Sequence, residues 1–578
     1  MKIKQKKIRI IVYFLIFFLF AGIIITRLFY LQIINHDFFV NKLERQLKRV
    51  INISPHRGNI YSRDKKPLAL TDYAYSLYAI PVQIKNKSLF ASKIAPLINK
   101  SKSEVFNKIK HRSYFIWLKR KCSQNIYKKI NALNLEGLGF IKEEKRVYPY
   151  KNLTSEIVGF VGIDNQGLGG IEYEFDKFLT GKPGKIILEN DPRGYQIISG
   201  LKEIIDPTYD GGNIYTTIDF YLQYIAKKYI KEGVEKNKAS RGSVIILNPN
   251  TGEVLAMANY PDFDPNNWRK TKSAYLRNSA INDLFEPGSI FKIVIISSIL
   301  EKKIATPDTF FTIPTSLKIG KYTINEAHKL GKGSYQKTVS QILIESLNVG
   351  TSVLSQKVGK DTFYNYIKKF GFGEYSGIDL PGEAKGILRT KEHTANIDLM
   401  MMSFGQSISV TPLQMTLSFS VVANGGYLLK PRIIQSFTDQ YGYLKSIPKI
   451  VKHQVITKET AANLTNILIK VIDQGTGSLA KIKGYSIAGK TGTAQKPNLQ
   501  TGGYLKGQYM ASFIGFLPAT KPKVLILVIL DSPRTSIYGG TTSAPIFKKI
   551  ALKIIDYYNI QPDRPKEDTP ISSINLLD

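Results

Sequence analysis

Three short groups of residues in this sequence bring together a nucleophile, amines and hydroxyl or amide groups at spacings that suit acyl transfer. In Ser289-Ile290-Phe291-Lys292 a serine and a lysine stand three apart. On a helix that spacing puts both on one face, with Cβ atoms on the order of 5–6 Å apart. A serine hydroxyl is a weak nucleophile until a neighbouring base takes its proton. An amine can be that base only when it is neutral, a state favoured by burial and by a second cation nearby. Lys490, in Lys490-Thr491-Gly492-Thr493, is such a cation. Ser346-Leu347-Asn348 lies between the two in sequence. Its polar side chains, two apart in a turn, can enter one cavity, Ser346 to relay a proton and Asn348 to hold a substrate amide or Lys292.

The last group also reads as a binding site. The ammonium of Lys490 with the hydroxyl of Thr491 or Thr493 suits a terminal carboxylate, and Gly492 lets a ligand approach the backbone. The backbone N–H groups of Ser289 and Thr493 are candidates for an oxyanion hole, where such donors are typically worth about 3 kcal/mol each.

The three groups are 57 and 144 residues apart, so only the fold can gather them. Pro287-Gly288 stops the preceding chain, and Ser289 opens an apolar helical stretch, which puts its hydroxyl near a helix N-terminus where negative charge is favoured. Tyr485-Ser486-Ile487-Ala488 reads as a strand whose exposed edge can pair with an extended peptide. Ser243–Leu247 and Glu253–Met257, joined by Asn248-Pro249-Asn250-Thr251-Gly252, read as a hairpin. A further strand is expected from Val524 to Leu530, helices over much of Ser289–Phe370, and an amphipathic helix over Ala544–Tyr558. The economical architecture for residues 211–560 is a central antiparallel sheet flanked by helices.

Residues 45–210 read as an extended α+β module without chemistry of its own. It opens with Arg57-Gly58-Asn59-Ile60, continues into a strand after Pro67-Leu68-Ala69, and then into a Lys-rich helical stretch, Leu89–Leu133. A polar connection over about 190–212 ends in the turn signal Asp210-Gly211-Gly212-Asn213, the expected domain boundary. The tail, 561–578, is expected to be disordered.

Ahead of that module, Ile10–Thr26 is a charge-free apolar run, extended by Leu28–Leu31 past Arg27. It is long enough to span a bilayer. No small-residue cleavage site follows, so 10–31 reads as an uncleaved single-pass anchor. Lys2, Lys4, Lys6, Lys7 and Arg9 keep residues 1–9 in the cytoplasm by the positive-inside rule, with the remainder outside the inner membrane, in the periplasm.

Composition narrows the field. Lys plus Arg number 81 against 45 Asp plus Glu, a formal charge of +36, but the lysines are spread along the chain and form no basic recognition helix, so nucleic acid is not expected as a partner. One cysteine, Cys122, closes no disulfide within the chain. Six scattered histidines show none of the pairings that zinc sites favour, and no metal or organic cofactor is expected.

The ordered trio of S-x-x-K, S-x-N and K-T-G is the signature of penicillin-binding proteins and β-lactamases. From about residue 10 to 558 the sequence resembles class B penicillin-binding proteins, membrane-anchored peptidoglycan D,D-transpeptidases. Arg57-Gly58-Asn59-Ile60, Gly170-Ile171-Glu172, Phe285-Glu286-Pro287-Gly288, Gly405–Gln414, Gly539-Gly540 and Ala544-Pro545 carry the resemblance further. Ile290, Leu347 and Ser407 depart from the residues usual at their positions.

The resemblance implies a single transmembrane helix, a pedestal module and a transpeptidase domain of serine β-lactamase-like fold. It implies Ser289 as nucleophile and Lys292 as base, acting on stem peptides that end in D-Ala-D-Ala. β-Lactams would acylate the same serine. The implied partners are peptidoglycan stem peptides, lipid II-derived glycan, a SEDS-type glycan polymerase and division regulators. Ser346-Leu347-Asn348-Val349-Gly350 and the Thr411–Gln414 context resemble division-specific (septal) members more than elongation-specific ones, which usually carry Asp at the position of Asn348. The alternatives are an elongation-specific transpeptidase and a catalytically vestigial scaffold or β-lactam sensor. Residual D,D-carboxypeptidase activity is compatible with the same site.

Overall fold

The apolar N-terminal run forms one helix, α1 (Lys2–Phe29), prolonged by π-helical turns over Tyr30–Ile34, with none of its side chains buried. Its 33 residues, at 1.5 Å each, are long enough to cross a hydrocarbon core of about 30 Å. The computed structural model describes residues 2–189, 202–320, 322–326, 333–439, 441–498 and 502–564. It divides into two units, one of residues 1–57 and 180–211, the other of residues 58–179 and 212–578. Besides α1, the first contains a three-stranded antiparallel sheet of Lys48–Ile53, Gly184–Glu189 and Lys202–Asp206.

In the second unit the long strand Pro67–Ala79 pairs antiparallel with both Ile116–Cys122 and Leu138–Val147. Its last residues, Leu77 and Ala79, bury against short helices through Phe90, Ile94, Val105, Ile109 and Ile130, a small core of their own. A buried ion pair closes the other end of this region. Arg146 donates to the Glu172 carboxylate at 2.6 Å and to the carbonyl of Gly58 at 2.7 Å, so two of the ordered motifs meet.

The rest of the unit is built on a five-stranded antiparallel sheet. Its strands are β1 (Arg241–Leu247), β2 (Val254–Tyr260), β3 (Ala488–Pro497), β4 (Tyr504–Leu517) and β5 (Val524–Asp531), in spatial order β2-β1-β5-β4-β3. In β5, VLILVILD, all eight residues are buried. Val524, Ile526, Val528 and Leu530 face one apolar layer and Leu525, Leu527 and Ile529 the other, because successive side chains leave a strand on opposite sides. Helices α2 (Phe220–Lys236) and α8 (Gly539–Tyr557) cover the first face. The other layer holds α3 (Lys292–Glu301), α4 (Val339–Ile344), α5 (Asn348–Val358), α6 (Pro412–Ala423) and α7 (Lys458–Asp473). This is an antiparallel sheet flanked by helices.

Several local expectations need correction. The stretch Leu89–Leu133 is not helical throughout: the strand Ile116–Cys122 interrupts it, because it pairs edge to edge with Pro67–Ala79 and buries Leu118 and Cys122, on one face, in the small core. Between α3 and α4, four short strands, Phe310–Pro314, Ser316–Ile319, Tyr322–Asn325 and Ser334–Thr338, replace the expected helix and pair as nested hairpins. The expected connection over 190–212 contains the strand Lys202–Asp206, while 190–201 lie outside the described residues. The strand expected over Tyr485–Ala488 begins at Ala488, so the Lys490 group is inside the strand and not after it.

Of the tail, 565–578 lie outside the described residues. Residues 561–564 are packed: Asp563 accepts the N–H of Ser486 at 2.7 Å and the hydroxyl of Thr520 at 2.8 Å, and Arg564 grips Asp473 with two 2.9 Å bonds.

Candidate active site

The serine sits on a tight turn. Gly288 has φ +59°, and a Cβ there would come within 3.0 Å of the Thr493 carbonyl, so glycine alone lets this backbone lie beside β3. Residues Gly288–Phe291 make a 3-10 turn that runs directly into α3. Ser289 is half-buried on the turn, while Ile290 and Phe291 are fully buried and anchor it.

Three residues on, Lys292 is completely buried. Its Nζ donates to the Ser346 carbonyl at 2.6 Å and to Asn348 Oδ1 at 2.8 Å, and lies 3.4 Å from Ser346 Oγ. Lys490, also completely buried, donates to the same Ser346 Oγ at 2.9 Å and to the Thr491 carbonyl at 3.2 Å. One hydroxyl thus bridges two amines that are 198 residues apart in the sequence. Ser346 occupies the short link between α4 and α5 at φ +61°, a left-handed conformation rare for a residue with a side chain. That turn points both Ser346 and Asn348 toward the lysines.

Burial dominates the electrostatics. It holds Lys490 down to about 7. Lys292 lies well below the ordinary lysine range, first through burial and then through repulsion by Lys490, while Glu326 opposes the shift. Removing two ammonium groups from water disfavours their charged forms. The result is an amine whose neutral form is favoured, one helical turn from a serine.

Thr491, Gly492 and Thr493 occupy β3, which pairs with β4 on one side and is the last strand of the sheet on the other. The Thr491 hydroxyl lies 2.7 Å from that of Thr476 and 3.5 Å from Lys490 Nζ. The Thr493 hydroxyl accepts the N–H of Gly539 at the start of α8, at 3.3 Å. A Cβ on Gly492 would meet Ser512 Oγ at 2.3 Å, Ile290 Cγ2 at 3.1 Å and the Pro287 carbonyl at 3.2 Å. Its missing side chain therefore makes room for the serine turn.

The three unusual residues also find their places. Ile290 and Leu347 are buried core side chains that support the serine turn and the Ser346 link. Ser407 adopts φ +59°, a left-handed conformation that favours glycine, and its N–H donates to the Glu286 carboxylate at 3.0 Å. Burial pushes the Glu286 carboxyl above its usual range.

Sequence reasoning did not single out Glu326, whose carboxylate accepts the N–H groups of Asn348 at 2.5 Å and Val349 at 2.9 Å. A signal existed: α5 begins after Leu347, an apolar residue that cannot cap it, so another part of the chain must satisfy its first amides.

The chain is similar to known proteins over most of its length. The family model for the penicillin-binding protein transpeptidase domain matches residues 242–552, and that for the penicillin-binding protein dimerisation domain matches 52–216. The chain is 32% identical to stage V sporulation protein D of Bacillus subtilis, over 95% of this chain and 86% of that one. It is 34% identical to the peptidoglycan D,D-transpeptidase FtsI of Buchnera aphidicola subsp. Baizongia pistaciae, over 94% of each. Among solved structures, penicillin-binding protein 3 of Mycobacterium tuberculosis, complexed with aztreonam, superposes with a TM-score of 0.71 at 28% identity, covering 89% of this chain and 99% of that one.

Proposed function

This chain belongs to the class B penicillin-binding proteins and is a serine-type peptidoglycan D,D-transpeptidase, and we propose that Ser289 is its nucleophile, Lys292 the general base, and septal wall synthesis its task. The observation that carries the assignment is the bridge of Ser346 between two buried amines, one of them a helical turn from Ser289.

Lys292 takes the proton of Ser289 Oγ as that oxygen attacks the carbonyl of the penultimate D-Ala of a stem peptide. The C–N bond to the terminal D-Ala breaks, the proton goes to the leaving nitrogen, and an acyl-enzyme remains. An amine of a neighbouring stem peptide then attacks the ester, the acyl C–O bond to Ser289 breaks, the proton lost by the amine returns to Ser289 Oγ through Lys292, and the cross-link is complete. The Ser289 and Thr493 N–H groups serve as the oxyanion hole, a role supported by the close approach of the Gly288 turn to Thr493 of β3. Lys490 with Thr491 and Thr493 receives the terminal carboxylate, and the free edge of β3 pairs with the extended peptide. β-Lactams acylate the same serine.

Asn348 and the Thr411–Gln414 context support the division-specific assignment. Lipid II-derived glycan, a SEDS-type polymerase and division regulators are the partners that this assignment brings with it. The basic residues in the first turns of α1, ahead of its apolar run, support an orientation with the N-terminus in the cytoplasm and the catalytic unit in the periplasm.

Replacing the chain in its own cell by Ser289→Ala tests the reading. Covalent labelling by a fluorescent penicillin is expected to vanish while the melting temperature is unchanged, and cells are expected to elongate without dividing. Persistent labelling overturns the nucleophile. Rounded cells instead of filaments place the enzyme in lateral-wall synthesis.

A further inference from the structure

Glu326 lies outside the three motifs, just after the short strand Tyr322–Asn325. Its two carboxylate oxygens hold the first two N–H groups of α5, those of Asn348 and Val349. These donors have no partner within a helix, and Leu347 offers no side-chain cap. The side chain of Asn348 in turn accepts Lys292 Nζ at 2.8 Å. One carboxylate therefore fixes the residue that fixes the amine.

The charges around it make a second link. Lys292 from α3 and Lys490 from β3 face each other across Ser346, and Glu326 is the anion that acts on Lys292 against that repulsion. Tyr335, from the strand Ser334–Thr338, faces the same carboxylate, its phenol pushed up to about 12 by burial and then by Glu326 and Glu345.

We propose that Glu326 is a positioning residue for acyl transfer, which sets Asn348 against Lys292 and stabilises the protonated amine that exists between the two proton transfers. The proposal rests on the reading above, in which Lys292 accepts the Ser289 proton. When Oγ bonds to the carbonyl carbon, that proton moves to Nζ; when the C–N bond breaks, it moves on to the leaving nitrogen. Between these events Lys292 must carry charge in a pocket where burial and Lys490 both oppose it. A fixed carboxylate at the N-terminus of α5 offsets part of that cost.

The test uses the full-length chain in detergent and measures the rate of acylation by a fluorescent penicillin across the neutral pH range. Glu326→Gln keeps the size but loses the charge, and sets an amide N–H₂ against one backbone N–H. Its plateau is expected to fall about tenfold. Its acid limb is expected to move to lower pH, because the lost charge no longer favours protonated Lys292. Glu326→Asp keeps the charge on a shorter arm, so its limb stays where the wild type has it while its plateau falls.

A Glu326→Gln profile that matches the wild type after scaling is what a purely structural role gives, and it overturns the proposal. Where Glu326→Gln does not fold, the Asp variant decides, and one as fast as the wild type overturns it. Failure of the underlying reading is distinct: wild-type protein that takes no label, or Ser289→Ala protein that does.

Discussion

Two lysine side chains without exposed surface set the chemistry of this site, and each costs the fold stability in a way that depends on pH. Lys490 is lowered to about 7 from an ordinary value of 10.5. Between those values the unfolded chain binds the proton and the folded chain does not. The penalty is therefore full below about 7 and fades as pH rises toward 10.5. Lys490→Met removes it. The variant is expected to melt above the wild type at mildly acidic pH, and the gap is expected to close as the solution is made alkaline. A gap independent of pH would mean that Lys490 stays charged in the fold. The same depression of Lys292 is what makes it a usable base, so the stability lost to burial is tied to the function proposed for it.

At the scale of elements, the decisive contact is between the serine turn and β3. Gly492 is the residue that lets them touch, since any side chain there runs into Ser512, Ile290 and Pro287. Ser512 is buried and part of β4, and Ile290 is wholly buried, so neither can simply turn away. Gly492→Ala is expected to slow penicillin acylation by roughly tenfold or more while the protein still folds, because a displaced serine turn loses its alignment with the oxyanion donors proposed above. Stopped-flow labelling with a parallel melting curve checks this, and wild-type acylation in a folded variant would show that the turn tolerates the shift. Edge position matters equally: among the described residues β3 ends the sheet, which leaves one side of its backbone for the peptide pairing proposed above.

Across the whole molecule, polar contacts tie segments that are distant in the sequence. Glu156, in the region before the sheet, accepts Lys227 of α2 at 2.9 Å and the N–H of Asn259 of β2 at 2.7 Å. At the other end of the chain, residues 561–564 strap across the segment that leads into β3. Asp563 holds Ser486, and the hydrogen bonds it accepts keep its carboxyl below the usual range despite burial, which acts the other way. Asp563→Ala is expected to lower stability by about 1–2 kcal/mol, since it leaves the Ser486 amide without its acceptor. The loss should appear as a lower melting temperature above the carboxylate range and shrink as acid protonates Asp563 in the wild type. An unchanged melting temperature would show that the strap contributes nothing.

The sequence by itself determined the candidate reacting groups and their order along the chain, the apolar N-terminal helix, the antiparallel sheet with its helices and the turn between α4 and α5. Each of these rests on local patterns of a few residues: a Ser and a Lys on one helical turn, alternation in a strand, an uncharged run. The strand Ile116–Cys122 and the hairpins of residues 310–338 escaped because their partners, not their own spacing, make them strands. Glu326 escaped for the same reason, being 22 residues from the amide it caps. Only the tertiary structure decided that Lys292 and Lys490 share one hydroxyl, that Gly492 yields to the serine turn, and that Asp563 belongs to the fold. Burial and contact between remote segments are properties of packing, and no local periodicity encodes which remote partner a side chain will meet.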